Sequence, residues 1–421
     1  MNSHQIKLDE SYLLFQNWWK STELTNYEKC LLNKEIINFN QQLFRLKEKI
    51  IRIGVYGKTG VGKSSISNKI LRENFFHTDI LNGSIKSSRS KEFSLRNNFI
   101  KSVELIDYPG FDICNSNNRD LQNLISLDLV LFVSSGDFNR QELNKLLWLI
   151  KRGKNIIIII NKIDIWKSEE IKIIKDNINE KLPINSKIPI ITYSIKNNDL
   201  CDKNKIYNYL NVTLNRIGYS LIIYNTYQIA NCLASNIKEK RLIKRKQKAQ
   251  SLIGKFATIK ASSVALNPLI FMDIAGSTTL DTILINELSK VYGFKLKSKS
   301  RILLLKSLSL NNLLLGISQI SIHSSFNLIK KISLILAPLT SGLSLVSYGP
   351  VAIVQAGIAL HTTKIIGKFA AKEILERSMI NNKEPFKNIQ QIISKEPEIL
   401  GSSKFFLNSQ NFNRDYSVFV P

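Results

Sequence analysis

The run Gly57-Lys58-Thr59-Gly60-Val61-Gly62-Lys63-Ser64 has the spacing GxxxxGK[ST] and lies between an apolar stretch and a helix-like one. A phosphate chain is held by several backbone N–H groups aimed from close range. Glycines permit so tight a loop, and a following helix adds its positive N-terminal end. Lys63 is therefore expected to reach the β- and γ-phosphates of a nucleotide, and the Ser64 hydroxyl to coordinate Mg²⁺. Two further patterns follow in order. Asp107-Tyr108-Pro109-Gly110 reads DxxG: Asp107 would hold the Mg²⁺ shell through water, and the Gly110 N–H would face the γ-phosphate. Asn161-Lys162-Ile163-Asp164 reads NKxD. The Asp164 carboxylate can accept hydrogen bonds from the guanine N1–H and 2-amino groups; adenine offers neither donor, which would leave the carboxylate unpaired. Lys162 would lie along the base, and Asn161 would tie this loop to the phosphate loop. Spacing places a backbone N–H near Ser194, within Thr192-Tyr193-Ser194-Ile195-Lys196, where it could bond the guanine O6. The expected ligands are GTP or GDP with Mg²⁺.

Such motifs need a sheet that carries their loops at one edge. Short apolar strands alternate with helix-like stretches from Ile50 onward, with candidates at 50–56, 91–99, 101–107, 128–134, 155–160 and 189–194. That alternation predicts a parallel or mostly parallel sheet covered on both faces. The run 156–160 is Ile at every position, which suits a central strand buried on both sides. The fold class that follows is α/β, a P-loop NTPase three-layer sandwich. It carries an N-terminal helical extension and an all-α C-terminal domain.

With these motifs in place, the chain resembles the translation-factor-related class of small P-loop GTPases. Its loop, extended to Ser65, is similar to those of the Era-like and of the immunity-related or septin-like branches. The resemblance covers roughly residues 49–225. It implies GTP binding, Mg²⁺ dependence and slow hydrolysis. Two positions depart from the pattern. The switch residue that binds Mg²⁺ and the γ-phosphate is not a clear threonine. In the loop 75–90 the stand-in is Ser88, with Thr78 as its rival, so the metal set reads Ser64, Ser88 and Asp107 and the catalytic pair Lys63 and Ser88. After DxxG stands Phe111, where Ras-like members place a water-orienting Gln. An apolar ring cannot polarise water, so turnover should be slow and call for a partner or self-association. Gly60 stands where potassium-activated relatives carry Asn, so no potassium requirement is expected.

Outside the G domain the reading is by composition. Residues 1–48 show helical apolar spacing after an aromatic cluster of Tyr12, Phe15, Trp18 and Trp19, which is expected to pack against a neighbouring domain. Residues 226–260 read as a basic helical linker, 261–378 as a helical, membrane-directed domain and 379–421 as a polar tail. The second of these resembles a helical domain of unknown function that follows G domains in bacterial proteins; that resemblance implies membrane association. Within it Ser307–Ile329 reads as a core helix. Ile332–Thr363 runs for 32 residues without a formal charge, long for one bilayer span and short for two. Pro338, Gly342, Gly349 and Pro350 should break it into a shallow hairpin. Asp273 and Asp281, in apolar surroundings, should face polar neighbours.

Composition limits the remaining classes. Four cysteines lie far apart without a CxxC pair, against a disulfide framework or metal site and for a reducing compartment. Residues 1–20 lack the charged start and apolar run of a secretory signal. The net charge of +26, from 59 Lys+Arg against 33 Asp+Glu, favours an anionic partner. Two roles compete: a membrane-associated regulatory GTPase on the cytoplasmic side, touching a membrane surface or bilayer through 237–363, and a cytoplasmic GTPase contacting RNA in ribosome assembly. No RNA-binding module such as a GXXG loop follows the G domain.

Overall fold

The computed structural model describes residues 3–76, 88–94, 99–111, 124–183, 188–194, 204–266, 274–293 and 348–380. Expectations on Thr78, Asp273, residues 307–347 and 381–421 lie outside the described residues. The chain divides into two compact units, with the boundary at Ile237/Lys238.

The first unit opens with helices α1 (Ser3–Ser21), α2 (Asn26–Leu31) and α3 (Asn33–Glu48). Then come β1 (Ile50–Gly57), α4 (Lys63–Leu71), β2 (Arg89–Phe93), β3 (Ser102–Asp107) and β4 (Leu129–Ser134). They are followed by α5 (Arg140–Lys151), β5 (Ile156–Ile160), α6 (Ser168–Lys181) and β6 (Ile190–Thr192). Helix α7 (Lys205–Leu266) begins in this unit and continues into the second. The sheet order is β2-β3-β1-β4-β5-β6. All neighbours run parallel except β2, which pairs antiparallel with β3 at the edge. Strand β2 covers 89–93, earlier and shorter than the apolar pattern of 91–99 suggested. Its pairing follows β3 to Asp107, whose register partner is Arg89.

The pleat assigns alternate residues to opposite faces. Ile51, Ile53 and Val55 of β1, Leu129, Leu131 and Val133 of β4, and Ile157 and Ile159 of β5 join one core with residues of α1, α3, α4 and α7. Tyr56, Val130, Phe132, Ile156, Ile158 and Ile160 join the other with Leu146 and Leu149 of α5 and Ile174 and Ile178 of α6. The three layers are therefore α/β/α, with the N-terminal helices built into one outer layer. Phe15 is fully buried there, and Trp18 and Trp19 both lie edge-on to Phe39 at 5.6 and 5.3 Å between ring centroids.

Below the sheet, at the N-terminal ends of its strands, a buried polar cluster joins these layers. The Asp128 carboxylate accepts from Arg45 Nη1 at 3.0 Å, the Arg52 N–H at 2.8 Å, Asn225 Nδ2 at 2.7 Å and Gln42 Nε2 at 3.4 Å. Lys154 Nζ donates to the Ile125 and Leu127 carbonyls and, at 2.8 Å, to Asn225 Oδ1. Helices α3 and α7, strand β1 and the segment leading into β4 meet in one network. Burial lowers the Arg45 and Lys154 pKa values, opposed by Asp128; for Lys154 the result is about 7. The unfolded lysine titrates near 10.5, so between pH 7 and 10.5 the unfolded chain holds the extra proton and stability rises with pH. Lys154→Met should flatten that rise. All four tryptophans (Trp18, Trp19, Trp148, Trp166) lie in the first unit. Denaturant melts followed by tryptophan fluorescence at pH 7 and 9.5 therefore check the difference.

The second unit holds the remainder of α7 with α8 (Ile274–Val291) and α9 (Tyr348–Ile380). The expected basic linker lies inside one uninterrupted helix, which also runs across the expected domain edge at 225/226. Leu242, Ala249 and Ile253 of this stretch form a core with Leu284, Ile285 and Leu288 of α8 and Ala370, Ala371 and Ile374 of α9. Asp281 does find a polar neighbour: Lys260 Nζ donates to both carboxylate oxygens, at 3.0 and 2.9 Å. Gly349 and Pro350 stand in the first turn of α9, where a proline's missing N–H costs no helical bond. Among the described residues no helix is long and apolar enough to cross a membrane.

Candidate nucleotide site

Strands β1, β3, β4, β5 and β6 end at one edge of the sheet, and the motif loops leave from there. The phosphate loop follows β1 directly. A side chain at Gly57 would meet the Val133 carbonyl oxygen at 2.3 Å, and Gly60 and Gly62 take φ of 78° and 91°. Only glycine meets the first condition, and it meets the others without strain. Gly62 opens α4, so the helix N-terminus backs the loop. Lys58, Thr59 and Ser65 are half-buried, and Val61 is buried. Lys63 is buried and donates to the Lys58 carbonyl at 2.8 Å, which folds its ammonium over the loop.

Ser64 Oγ donates to Asp107 Oδ2 at 2.6 Å. Asp107 is 1% exposed, and its Oδ1 has no hydrogen-bond partner. Burial pushes its pKa up to about 6, against the Ser64 hydrogen bond and the nearby Lys63. A buried carboxylate with an orphaned oxygen beside a serine hydroxyl is a donor set for a hard cation. Mg²⁺ is commonly held by one or two such oxygens with nucleotide phosphates and water. Among the described residues no group of three or more His, Cys, Asp or Glu could hold a metal; Ser64 and Asp107 would supply the protein oxygens. Bound there, Mg²⁺ would neutralise charge on the β- and γ-phosphates. Ser88 is exposed and directly precedes Arg89, the register partner of Asp107. It thus lies at the same end of the β2–β3 pair as the metal residues. Gly110 is buried beyond β3. The Phe111 ring joins an aromatic cluster with Tyr56 at 5.5 Å and Phe132 at 6.5 Å, turned into the core.

The 161–164 loop leaves β5. Asn161, fully buried, donates to the Val61 carbonyl at 2.8 Å, the expected tie to the phosphate loop. Lys162, at φ 61°, donates to the Gly60 carbonyl at 2.7 Å and makes a second tie. Asp164 is solvent-exposed rather than buried. Its Oδ1 accepts from Ser194 Oγ at 2.5 Å. Ser194 therefore meets the site through its side chain, a role spacing did not reveal. The Tyr193 carbonyl also accepts from the Ile163 N–H at 3.4 Å.

Two contacts beside the site had no sequence signal. Asn68 of α4 clamps the start of the 75–90 loop: its Oδ1 accepts from the Phe75 and Phe76 N–H groups at 3.1 and 2.7 Å, and its Nδ2 donates to the Phe76 carbonyl at 2.8 Å. Trp166 bonds the Ser135 carbonyl from the far end of the NKxD turn. An asparagine in a helix and a tryptophan after a turn are each common, and nothing local marks their partners.

Comparison with known proteins agrees with this geometry. Residues 52–162 match the family described as 50S ribosome-binding GTPase, and residues 229–398 match a domain of unknown function, DUF697. GTPase Der of Nautilia profundicola is 31% identical over 122 residues, covering 27% of this chain and 26% of that protein. The tRNA modification GTPase MnmE of a Thermoanaerobacter species is 29% identical over 169 residues, covering 37% and 35%. Among solved structures, Aquifex aeolicus Era bound to GDP and AlF4⁻ is 22% identical, with a TM-score of 0.32 over 39% of this chain and 56% of that one. The chain spans about a quarter to a third of the curated relatives it matches. The chain thus carries a P-loop GTPase domain, similar to those of Der and MnmE, followed by a segment that matches DUF697.

Proposed function

We propose that the chain is a slow GTP-hydrolysing switch whose helical unit docks on the anionic surface of a membrane. The observation that carries the docking is a pair of lysine stripes. On α7, Lys240, Lys244, Lys248 and Lys255 are exposed and fall within about 80° of arc at 3.6 residues per turn. Leu242, Ala249, Ile253 and Ala257 fill the opposite, buried face. On α9, Lys364, Lys368 and Lys372 are exposed at four-residue spacing. The same two helices expose apolar side chains as well: Ile259 on α7, and Ile353 and Phe369 on α9. Lysines together with large apolar groups suit a lipid surface, where heads meet anionic headgroups and apolar tips enter the interface.

In the nucleotide site, Lys63, the loop N–H groups, Ser64 and Asp107 would hold the phosphates and metal, and Ser88 would close on the γ-phosphate. Phe111 offers no polar group to the attacking water, which supports slow unassisted turnover. Nucleotide state would rearrange the loops around 75–90 and 108–120.

The test uses the full chain with neutral vesicles and with vesicles carrying phosphatidylserine. Co-sedimentation is expected only with the anionic vesicles and should be lost by about 0.5 M salt, where charges are screened. Changing Lys240, Lys248, Lys255, Lys364 and Lys368 together to Gln should weaken it by at least about tenfold, since each surface lysine contributes roughly 1 kcal/mol. Equal binding by that variant, or none by the wild type, contradicts the docking. Retention on RNA without vesicle binding would assign the surface to nucleic acid.

A further inference from the structure

The turn that carries Asp164 is exposed at its apex: Asp164 faces solvent and Ile165 is 65% exposed. Packing alone does not hold such a turn in one geometry, yet a carboxylate must be fixed to read two donors on one base edge. Its leading end is held by the Asn161 and Lys162 bonds to the phosphate loop. Its trailing end is Trp166. The Trp166 N–H closes the turn on the Ile163 carbonyl at 3.1 Å, and its indole Nε1–H donates to the Ser135 carbonyl at 3.1 Å. A side chain at Gly136 would come within 3.2 Å of Trp166 Cζ2, so the absence of one there seats the ring. The receiving loop is itself fixed: Ser134 Oγ donates to the Gly136 carbonyl at 3.1 Å, and Lys181 pairs with Asp137 at 2.7 Å.

Resting on the guanine reading of Asp164, we infer that Trp166 is a positioning residue for guanine recognition. Its indole pins the trailing end of the turn to the β4–α5 loop, so that Asp164 is presented to the base in one orientation. The indole acts through Asp164 and not by touching the base.

Positioning predicts a change in discrimination. IDP differs from GDP only by lacking the 2-amino group, one of the two donors Asp164 reads. A loosened Asp164 loses more on GDP than on IDP. Trp166→Phe keeps a ring over Gly136 and removes the donor; Trp166→Ala removes both. Affinities of the full chain for fluorescent GDP and IDP would be measured, with circular dichroism melts alongside. Loss of one aligned hydrogen bond corresponds to about five- to tenfold in affinity. Trp166→Ala should therefore weaken GDP by about tenfold and shrink the GDP-to-IDP preference at least about threefold, with Trp166→Phe intermediate. Equal losses for both nucleotides, or an unchanged preference in both variants, would reduce Trp166 to a packing residue and overturn the inference. Should Trp166→Ala fail to fold, Trp166→Phe decides alone. A wild type with no preference for GDP over IDP would overturn the guanine reading itself, and the clamp with it.

Discussion

Replacing Asp128 with Ala is expected to destabilise the first unit by about 3–5 kcal/mol, a large part of the roughly 5–15 kcal/mol that holds a typical domain. Asp128 accepts from four donors in three different elements and is 1% exposed. Its removal leaves the Arg45 guanidinium buried near Lys154 without its ion-pair partner. Arg45 retains its bond to the Ser126 carbonyl at 2.7 Å, but its Nε already lacks a hydrogen-bond partner. A buried charge that loses its mate is more costly than the pair was valuable. The double replacement Asp128→Ala with Arg45→Met should therefore be less damaging than Asp128→Ala alone. Tryptophan fluorescence in a denaturant titration reads this unit, because every tryptophan lies in it. An Asp128→Ala melt within about 1 kcal/mol of wild type would mean that the network contributes little, contrary to the cost of an unpaired buried charge.

The motifs were legible because phosphate and guanine chemistry restrict residue type at fixed spacing. A side chain at Gly57 would strike the Val133 carbonyl, and Gly60 and Gly62 adopt positive φ. The five isoleucines of β5 announced burial on both faces, and each is 1% exposed or less. The Asp128 network left no comparable trace, since Gln42 and Thr226 meet across 184 positions and Arg45 and Asp128 across 83. No local period encodes such partners. The stretch 226–260, expected to be a basic helical linker, is helical. Its buried face was not legible, because it includes the small residues Ala249 and Ala257, weak hydrophobic signals within a charged run. Asp164 shows the reverse case. Its identity was legible and its exposure was not, because the base that would cover it belongs to the ligand.

The second large effect is at Asp164. Asp164→Asn should weaken GDP binding by at least about 100-fold, because an amide turns a donor toward the guanine 2-amino group, where the carboxylate accepted. Xanthine carries a carbonyl at that position and keeps the N1–H. The asparagine side chain can donate to the first and accept from the second, so affinity for XDP should rise as that for GDP falls. Competition between GDP and XDP for the full chain measures both. The phosphate contacts through Lys63 and Ser64 do not involve Asp164, so the exchange is one of base preference at preserved phosphate binding. Loss of both nucleotides together would place Asp164 in the scaffold instead of the recognition edge.

This site is expected to turn over GTP slowly and with guanine selectivity. Single-turnover measurement of phosphate release from GTP and from ATP, by the full chain with Mg²⁺ and without partners, tests it most directly. Slow but measurable release from GTP, abolished by chelating Mg²⁺ and absent with ATP, is the predicted result. Equal release from ATP, or GTP turnover as fast as that of partner-activated GTPases, on the order of 10 per second, would contradict it.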